Sequence, residues 1–308
     1  MKNTYAPIIV FCYNRLDHVK SVVSALLKCA ESKYSDLYVF SDGAKNISDI
    51  RTVQNIRNYL HTISGFRSVN IVERKANFGL ALNLIDGISL VMSAHGRAII
   101  MEDDIVCEPC FLEYMNHALN LYQNNKDVFT IGAYPPLDIQ SNKNEAIVSE
   151  VASCWGWATW SDRWDLYEKN PEKAVKDLDN KKFKNRLNIN GLVNISAQVY
   201  DNYNGTRNTW AVFLNFTAVK YNKFNIYPPY PIITNIGQDG TGTHGVKSVV
   251  NQSHNLDIKK LFFPTEHLTE TGIPLIIAKR SEQTPPVDNK QKNYYLFGIK
   301  IKTKSPKK

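Results

Sequence analysis

The chain has 308 residues, 43% of them hydrophobic and 21% charged, enough apolar material for one large core or two smaller ones. Its formal net charge of +8 admits nucleic acid, anionic lipid surfaces or polyanionic substrates as partners. No stretch reaches the ~20 apolar residues that span a bilayer, and the five cysteines include a single CxxC (Cys107, Cys110), which excludes a four-cysteine zinc site.

The odd cysteine count points to reduced thiols and a cytoplasmic protein, with Cys107 and Cys110 as a weak redox pair. MKNTYAPIIVFCYNR lacks a long apolar h-region, so the expectation is a first strand, not a signal peptide. Residues 7–13 (PIIVFCY) form that strand and Asn14-Arg15 a loop. Asp17 is positioned to cap a helix carrying Val19, Val22, Val23, Leu26 and Leu27 at helical spacing. Residues 37–40 (LYVF) are the next strand, ending in Ser41-Asp42-Gly43, and a helix follows over 48–62. Residues 69–72 are a third strand, ending at Glu73-Arg74. Asn77-Phe78-Gly79 opens a helix to about Met92, with Ala81, Ile85, Ile88 and Met92 on one face. Residues 98–101 are the fourth strand, and Pro109 starts a helix with Phe111, Tyr114, Met115 and Ala118 inward. This alternation predicts an α/β fold with a mostly parallel sheet flanked by helices. Its strand ends collect Asn14, Arg15, Asp42, Arg74, Asn77 and residues 102–104 on one rim.

The fourth strand is the centre of the reading. Four apolar residues, Ala98, Ile99, Ile100 and Met101, run into Glu102, Asp103 and Asp104. Ligands of open α/β sheets bind beyond the carboxyl ends of the strands. Three adjacent carboxylates there repel one another unless a cation sits among them, and oxygen ligands suit Mg2+ or Mn2+, which also bind phosphates. The pattern therefore predicts a metal–diphosphate site, against the alternative of a solvated acidic turn.

After 128–132 the alternation weakens. Trp155, Trp157, Trp160 and Trp164 lie within ten positions of one another. Gly156 between two of them suggests a platform for a sugar ring, with plain core burial as the alternative. Residues 169–184 read as a charged helix, 210–219 as another, and 226–231 and 232–236 as extended. The run 235–244 (NIGQDGTGTH) can wrap a phosphate through its amides, and His244 can complete a metal shell. Its spacing does not match GxxxxGK[ST], so it is not a P-loop. From Lys247 onward there are short apolar pieces and a basic tail.

FCYNR, SDG, ANFG, IIMEDD with Pro109-Cys110-Phe111 and Tyr114, WGWATW and NIGQDGTGTH occur in that order. The ordered set resembles bacterial nucleotide-sugar glycosyltransferases of the GT-A fold, related to the family-two enzymes. The EDD form of the DxD motif also resembles the N-acetylglucosaminyltransferases of the Golgi. The resemblance runs from about Pro7 to His244. It implies a GT-A domain over 1–246, a nucleotide-sugar half at 1–132, an acceptor half at 133–246, and a C-terminal extension at 247–308. It further implies that Tyr13, Asn14, Arg15 and Asp42 hold base and ribose, Arg74 and Asn77 face the nucleotide or its phosphates, and Glu102 and Asp103 line the ribose side. Asp104, joined by His244, would bind Mn2+ or Mg2+, and Trp155, Gly156 and Trp157 would shape the sugar and acceptor pocket.

Where the Golgi-type enzymes have an acid after a late tryptophan, Thr209-Trp210-Ala211 has alanine. Asp239 is the substitute candidate for the catalytic base, with Asp162 and Asp165 as alternatives, and inversion is the preferred outcome. The implied activity is hexosyl or N-acetylhexosaminyl transfer from a nucleotide-sugar, a UDP-sugar favoured, to a glycan or lipid-linked oligosaccharide in surface-polysaccharide synthesis. The basic tail would bring the chain to the inner face of the membrane. Two other readings compete. A nucleotidyltransferase making a nucleotide-sugar would show glycine after the first strand, and FCYNRLDHVK has none. A nucleic-acid-binding protein would interleave lysines with the tryptophans, and 154–160 contains neither Lys nor Arg, so no nucleic acid is expected as partner.

Overall fold

The computed structural model describes residues 5–135, 144–237 and 256–265, together with the backbone of 295–296 and 299–300. The first four strands follow the expected alternation: β1 (Ile8–Cys12), α1 (Leu16–Leu26), β2 (Asp36–Ser41), α2 (Ile47–Leu60), β3 (Ser68–Glu73), α3 (Gly79–His95) and β4 (Arg97–Glu102). Next come β5 (Ile105–Cys107), α4 (Phe111–Leu121), β6 (Val128–Gly132), β7 (Ile147–Ser149) and β8 (Trp157–Trp160). Short helices α5 (Ser161–Trp164), α6 (Pro171–Asp177), α7 (Lys181–Leu187), α8 (Ile195–Tyr203) and α9 (Ala211–Lys220) lead to β9 (Phe224–Tyr227) and β10 (Ile233–Asn235). Among the described residues no helix is long and apolar enough to cross a membrane.

Eight strands form one sheet in the order β3-β2-β1-β4-β8-β6-β9-β7. β3, β2, β1 and β4 are mutually parallel. β8 runs against both β4 and β6, β9 runs with β6, and β7 runs against β9. Only β7 and β8 are therefore reversed, and the sheet is mostly parallel, as the alternation predicts.

The central strands are apolar throughout because both faces are covered. Ile8, Val10 and Cys12 of β1 join Ile99 and Met101 of β4 in the core under α1, α2 and α4. The residues between them, Ile9, Phe11, Ala98 and Ile100, join the core under α3 and α9. Each Ile, Val, Met or Phe among them contributes about 1.5–3 kcal/mol on burial. A third cluster, with Leu187, Val199 and Phe213, packs α6 to α9 together. The segment 256–265 was not assigned to the core from sequence, yet Leu256, Ile258, Leu261 and Phe263 are buried in the first cluster. Phe263 lies among Tyr114, His117 and Tyr122, and the Tyr122 hydroxyl donates to the Pro264 carbonyl at 2.7 Å.

Local expectations need several corrections. Asp17 does not cap α1: Arg15 holds the cap position, and Asp17 sits in the first turn, where its charge still favours the helix dipole. The charged run 169–184 is broken into two helices, capped by Asn170 and Asn180, whose side chains accept backbone N–H groups. Cys107 and Cys110 are both free thiols, and the Cys107 sulfur lies 4.0 Å from that of Cys29.

Candidate functional site

Register brings the expected rim together. β1 pairs with β2 at Cys12↔Ser41 and with β4 at Phe11↔Glu102. The segments that follow, with Tyr13–Arg15, Asp42 and Glu102–Asp104, therefore leave the sheet side by side. After a turn at Asp103-Asp104 the chain enters β5, which pairs with β10 at Ile105↔Asn235. The next amide, Ile236 N–H, donates to the Asp104 carbonyl at 2.8 Å. The glycine-rich run thus opens against the acidic turn. A Cβ on Gly237 would collide with the Asp104 carboxylate and lie 3.0 Å from Nη1 of Arg15, so a larger residue there would have to push these side chains aside.

The three acids have different surroundings. Asp103 is buried; its carboxylate pairs with Arg15 and takes the Tyr13 backbone N–H. Burial pushes it up to about 6, Arg15 pulls it down and Asp104 adds to the rise. Asp104 is more open, with its Oδ2 3.1 Å from Nη2 of Arg15. Strand alternation puts Glu102 on the other face, with Ile100. Burial, then the charges of Asp104 and Asp103, push Glu102 up to about 8, against the pull of Arg15. Cys154 lies close enough to Glu102 for that carboxylate to add to the rise that burial imposes on the thiol.

This donor set fits a hard divalent cation. It is all oxygen and carries more negative charge than Arg15 alone offsets. Among the described residues no three His, Cys, Asp or Glu side chains converge on one metal position. Mg2+ and Mn2+ at phosphate sites are held by one or two carboxylates, with phosphate and water oxygens completing the shell. Of the two acids on the Arg15 side, Asp104 is the more accessible. Asp239, the expected base, and His244, the expected second ligand, lie outside the described residues.

Several expected contacts have different occupants. The Asp42 carboxylate accepts the backbone N–H groups of Phe78 and Gly79 at 2.8 and 2.9 Å, its neighbour Gly43 at 2.9 Å, and Asn77 Nδ2 at 3.2 Å. It is 4% exposed and caps the start of α3 from across the rim, rather than facing a base or ribose. Asn77 is committed to the same clamp, donating also to the Gly43 carbonyl at 2.8 Å. Arg74 turns onto α3, bonding Asn83, pairing with Asp86 and stacking over the Phe78 ring at 4.7 Å. It therefore does not face the rim. Tyr13 donates to Asp49 at 2.6 Å and accepts from the Lys45 amide at 2.9 Å, which fixes its ring as a wall of the rim; Asn14 is half-buried beside it. Sequence reading missed Arg57, which reaches the Arg74 carbonyl at 2.7 Å and the Asp42 carbonyl at 3.4 Å and so ties the ends of β2 and β3. No local pattern marks a helix residue for that task.

The tryptophan run divides at Gly156. Trp157 is fully buried in β8, stacked on Trp210 at 5.8 Å and beside Trp164 at 6.0 Å. It is core and not a ligand platform, because β8 is an interior strand covered on both faces. Gly156, with φ of +64°, is buried against Ile233, Phe111 and Ala133, so its close approach is to the protein's own side chains. Trp155 remains half-buried at the rim, edge-on to Tyr134 at 4.8 Å. Because β8 is antiparallel to β4, with Trp160 opposite Arg97, Asp162 and Asp165 follow at the far end of the sheet. Asp162 pairs there with Lys126 and Arg163, so neither acid is placed to act at Asp104.

No protein-family model matches the sequence, and no curated protein does. Solved structures do match. One is the mannosyltransferase PcManGT from Pyrobaculum calidifontis in complex with GDP-Man and Mn2+, at 14% identity over 52% of this chain and 46% of that one, with a TM-score of 0.37. Another is S. aureus TarS, at 11% identity over 51% of this chain and 28% of that one, TM-score 0.36. A third is glucosyl-3-phosphoglycerate synthase from Mycobacterium tuberculosis in complex with Mn2+, UDP and glucosyl-3-phosphoglycerate, at 11% identity over 53% of this chain and 58% of that one, TM-score 0.33. The chain spans less than two thirds of each of these three. A likeness of this size assigns no residue a role.

Proposed function

We propose that the chain is a metal-dependent glycosyltransferase that moves a hexose or N-acetylhexosamine from a nucleotide-sugar, a UDP-sugar for preference, to a glycan or lipid-linked oligosaccharide. The observation that carries this reading is the meeting of Asp104, Arg15 and the Gly237 backbone at the carboxyl end of β4. A carboxylate suits a cation and a guanidinium a diphosphate, and the glycine at 237 keeps the space beside them clear of a side chain.

In this reading Asp104 binds the cation. Asp103, which also takes the Tyr13 amide, holds Arg15 in place. The rim loop Tyr13–Arg15 and Glu102 border the nucleotide, and Trp155 borders the sugar or acceptor. A divalent cation, when bound, neutralises charge building on the leaving nucleoside diphosphate. Asp239, two positions beyond Gly237, is the proposed base that takes the acceptor hydroxyl proton in an inverting transfer. Residues 1–132 serve the donor, 133–246 the acceptor, and the basic tail an anionic membrane surface.

The test is Asp104→Asn. It should abolish Mn2+-dependent donor hydrolysis and transfer while leaving the fold intact, because Asp103 still holds Arg15. Full activity in that variant overturns the metal role. A thermal-shift panel of UDP-, GDP-, CMP- and dTDP-sugars with and without Mn2+ identifies the donor. Release of pyrophosphate instead of a nucleoside diphosphate would replace this reading with nucleotidyl transfer.

A further inference from the structure

Arg15 was expected to serve the nucleotide base; its guanidinium is found on the acids. Nη2 pairs with Asp103 and stands 3.1 Å from Asp104, while Nη1 points to the Gly237 segment. The two acids differ in how firmly they hold it. The Asp103 side chain is 5% exposed and has a second donor in the Tyr13 amide. The Asp104 side chain is 17% exposed, and that of Arg15 is 23% exposed, so this half of the contact opens to the rim. A guanidinium and a divalent cation cannot share the same carboxylate oxygen without strong repulsion.

We propose that Arg15 is a tethered counterion: it neutralises Asp104 in the ligand-free protein, and yields Asp104 to the divalent cation when a nucleoside diphosphate arrives to receive the guanidinium. This rests on the function proposed above and adds an order to it. Asp103 is the pivot that keeps Arg15 at the rim throughout. A planar fork suits the second task, because a diphosphate offers paired oxygens as a carboxylate does. The metal alone must take Asp104 from Arg15 and leave the guanidinium with Asp103 as its one remaining carboxylate, close to the cation's charge, so it binds weakly. The metal with the nucleotide exchanges one ion pair for two. Each ligand then tightens the other by the same factor.

Calorimetric titration of Mn2+ tests this, alone and with UDP or GDP present. In the wild type, the nucleotide should tighten Mn2+ at least tenfold. Arg15→Gln should tighten Mn2+ alone by about tenfold and bring the nucleotide's enhancement close to one. Arg15→Lys, which keeps the charge but not the fork, should bind Mn2+ alone more tightly than wild type and less tightly than Arg15→Gln. It carries the test if the glutamine variant does not fold. Mn2+ affinity unchanged in both variants, with the enhancement intact, overturns the tether and leaves the function standing. If the wild type binds neither nucleotide more tightly with Mn2+ than with EDTA, the salt bridge is permanent, and the metal-dependent function falls with the tether.

Discussion

The Asp42 carboxylate accepts the backbone N–H of Gly79 at 2.9 Å, joining the end of β2 to the start of α3 across thirty-seven residues. Phe78 N–H shares that carboxylate at 2.8 Å. Asp42→Ala would remove the acceptor of these part-buried amides at the start of α3, at about 1–2 kcal/mol each. We expect a loss of about 2–4 kcal/mol in urea unfolding, with Asp42→Asn keeping roughly half of the stabilisation. Unchanged stability with lost nucleotide binding would instead make Asp42 a ligand contact.

The acidic turn makes stability depend on pH. Glu102 is pushed up to about 8 and Asp103 to about 6, chiefly by burial. Both lie above their unfolded values of about 4. The folded chain therefore holds more protons than the unfolded chain between those values. This part of the stability is present below pH ~4 and is lost as pH rises through about 6 and then about 8. Glu102→Gln removes the larger share, so its melting temperature should exceed that of the wild type by a margin that widens from pH 5 to pH 8.5. A margin that stays constant would refute the assignment.

Trp155 and Trp157, two residues apart, should behave differently. Trp157 is fully enclosed between Trp164 and Trp210, and Trp157→Ala should cost about 3–5 kcal/mol. Trp155→Ala removes a half-buried rim residue and should cost less than about 2 kcal/mol. Its larger effect should be on the KM for acceptor. Chemical denaturation and steady-state kinetics on the pair separate the two roles.

Gly237→Ala places a methyl group against the Asp104 carboxylate and Arg15. Overpacking of this kind costs about 1–3 kcal/mol. We expect the affinity for UDP or GDP with Mn2+ to drop at least tenfold as the glycine-rich segment is pushed off the acidic turn. Calorimetry showing wild-type affinity would mean that this approach does not shape the site.

The parallel half of the sheet was readable because β1 and β4 are unbroken apolar runs, and such runs require cover on both faces. The rim was readable for the same reason: parallel strands share one carboxyl end, so Arg15, Asp42 and Asp104 had to emerge together. Side-chain partners were not readable. Arg15 meets Asp103 across eighty-eight positions, and no local rule encodes that distance. Trp157 misled because clustered tryptophans look the same on a platform and in a core. What decides between them is the insertion of an antiparallel strand between β4 and β6, a fact of topology.

Residues 256–265 complete the cluster that begins at Ala6, with Phe263 closing over α4. That layer cannot be finished while the ribosome still holds residue 265. During synthesis, Tyr114 and Tyr122 wait uncovered for well over a hundred residues, at the ~5–20 residues per second of translation. A chain halted just before Leu256 would therefore expose these two rings, which the finished fold hides beneath Phe263.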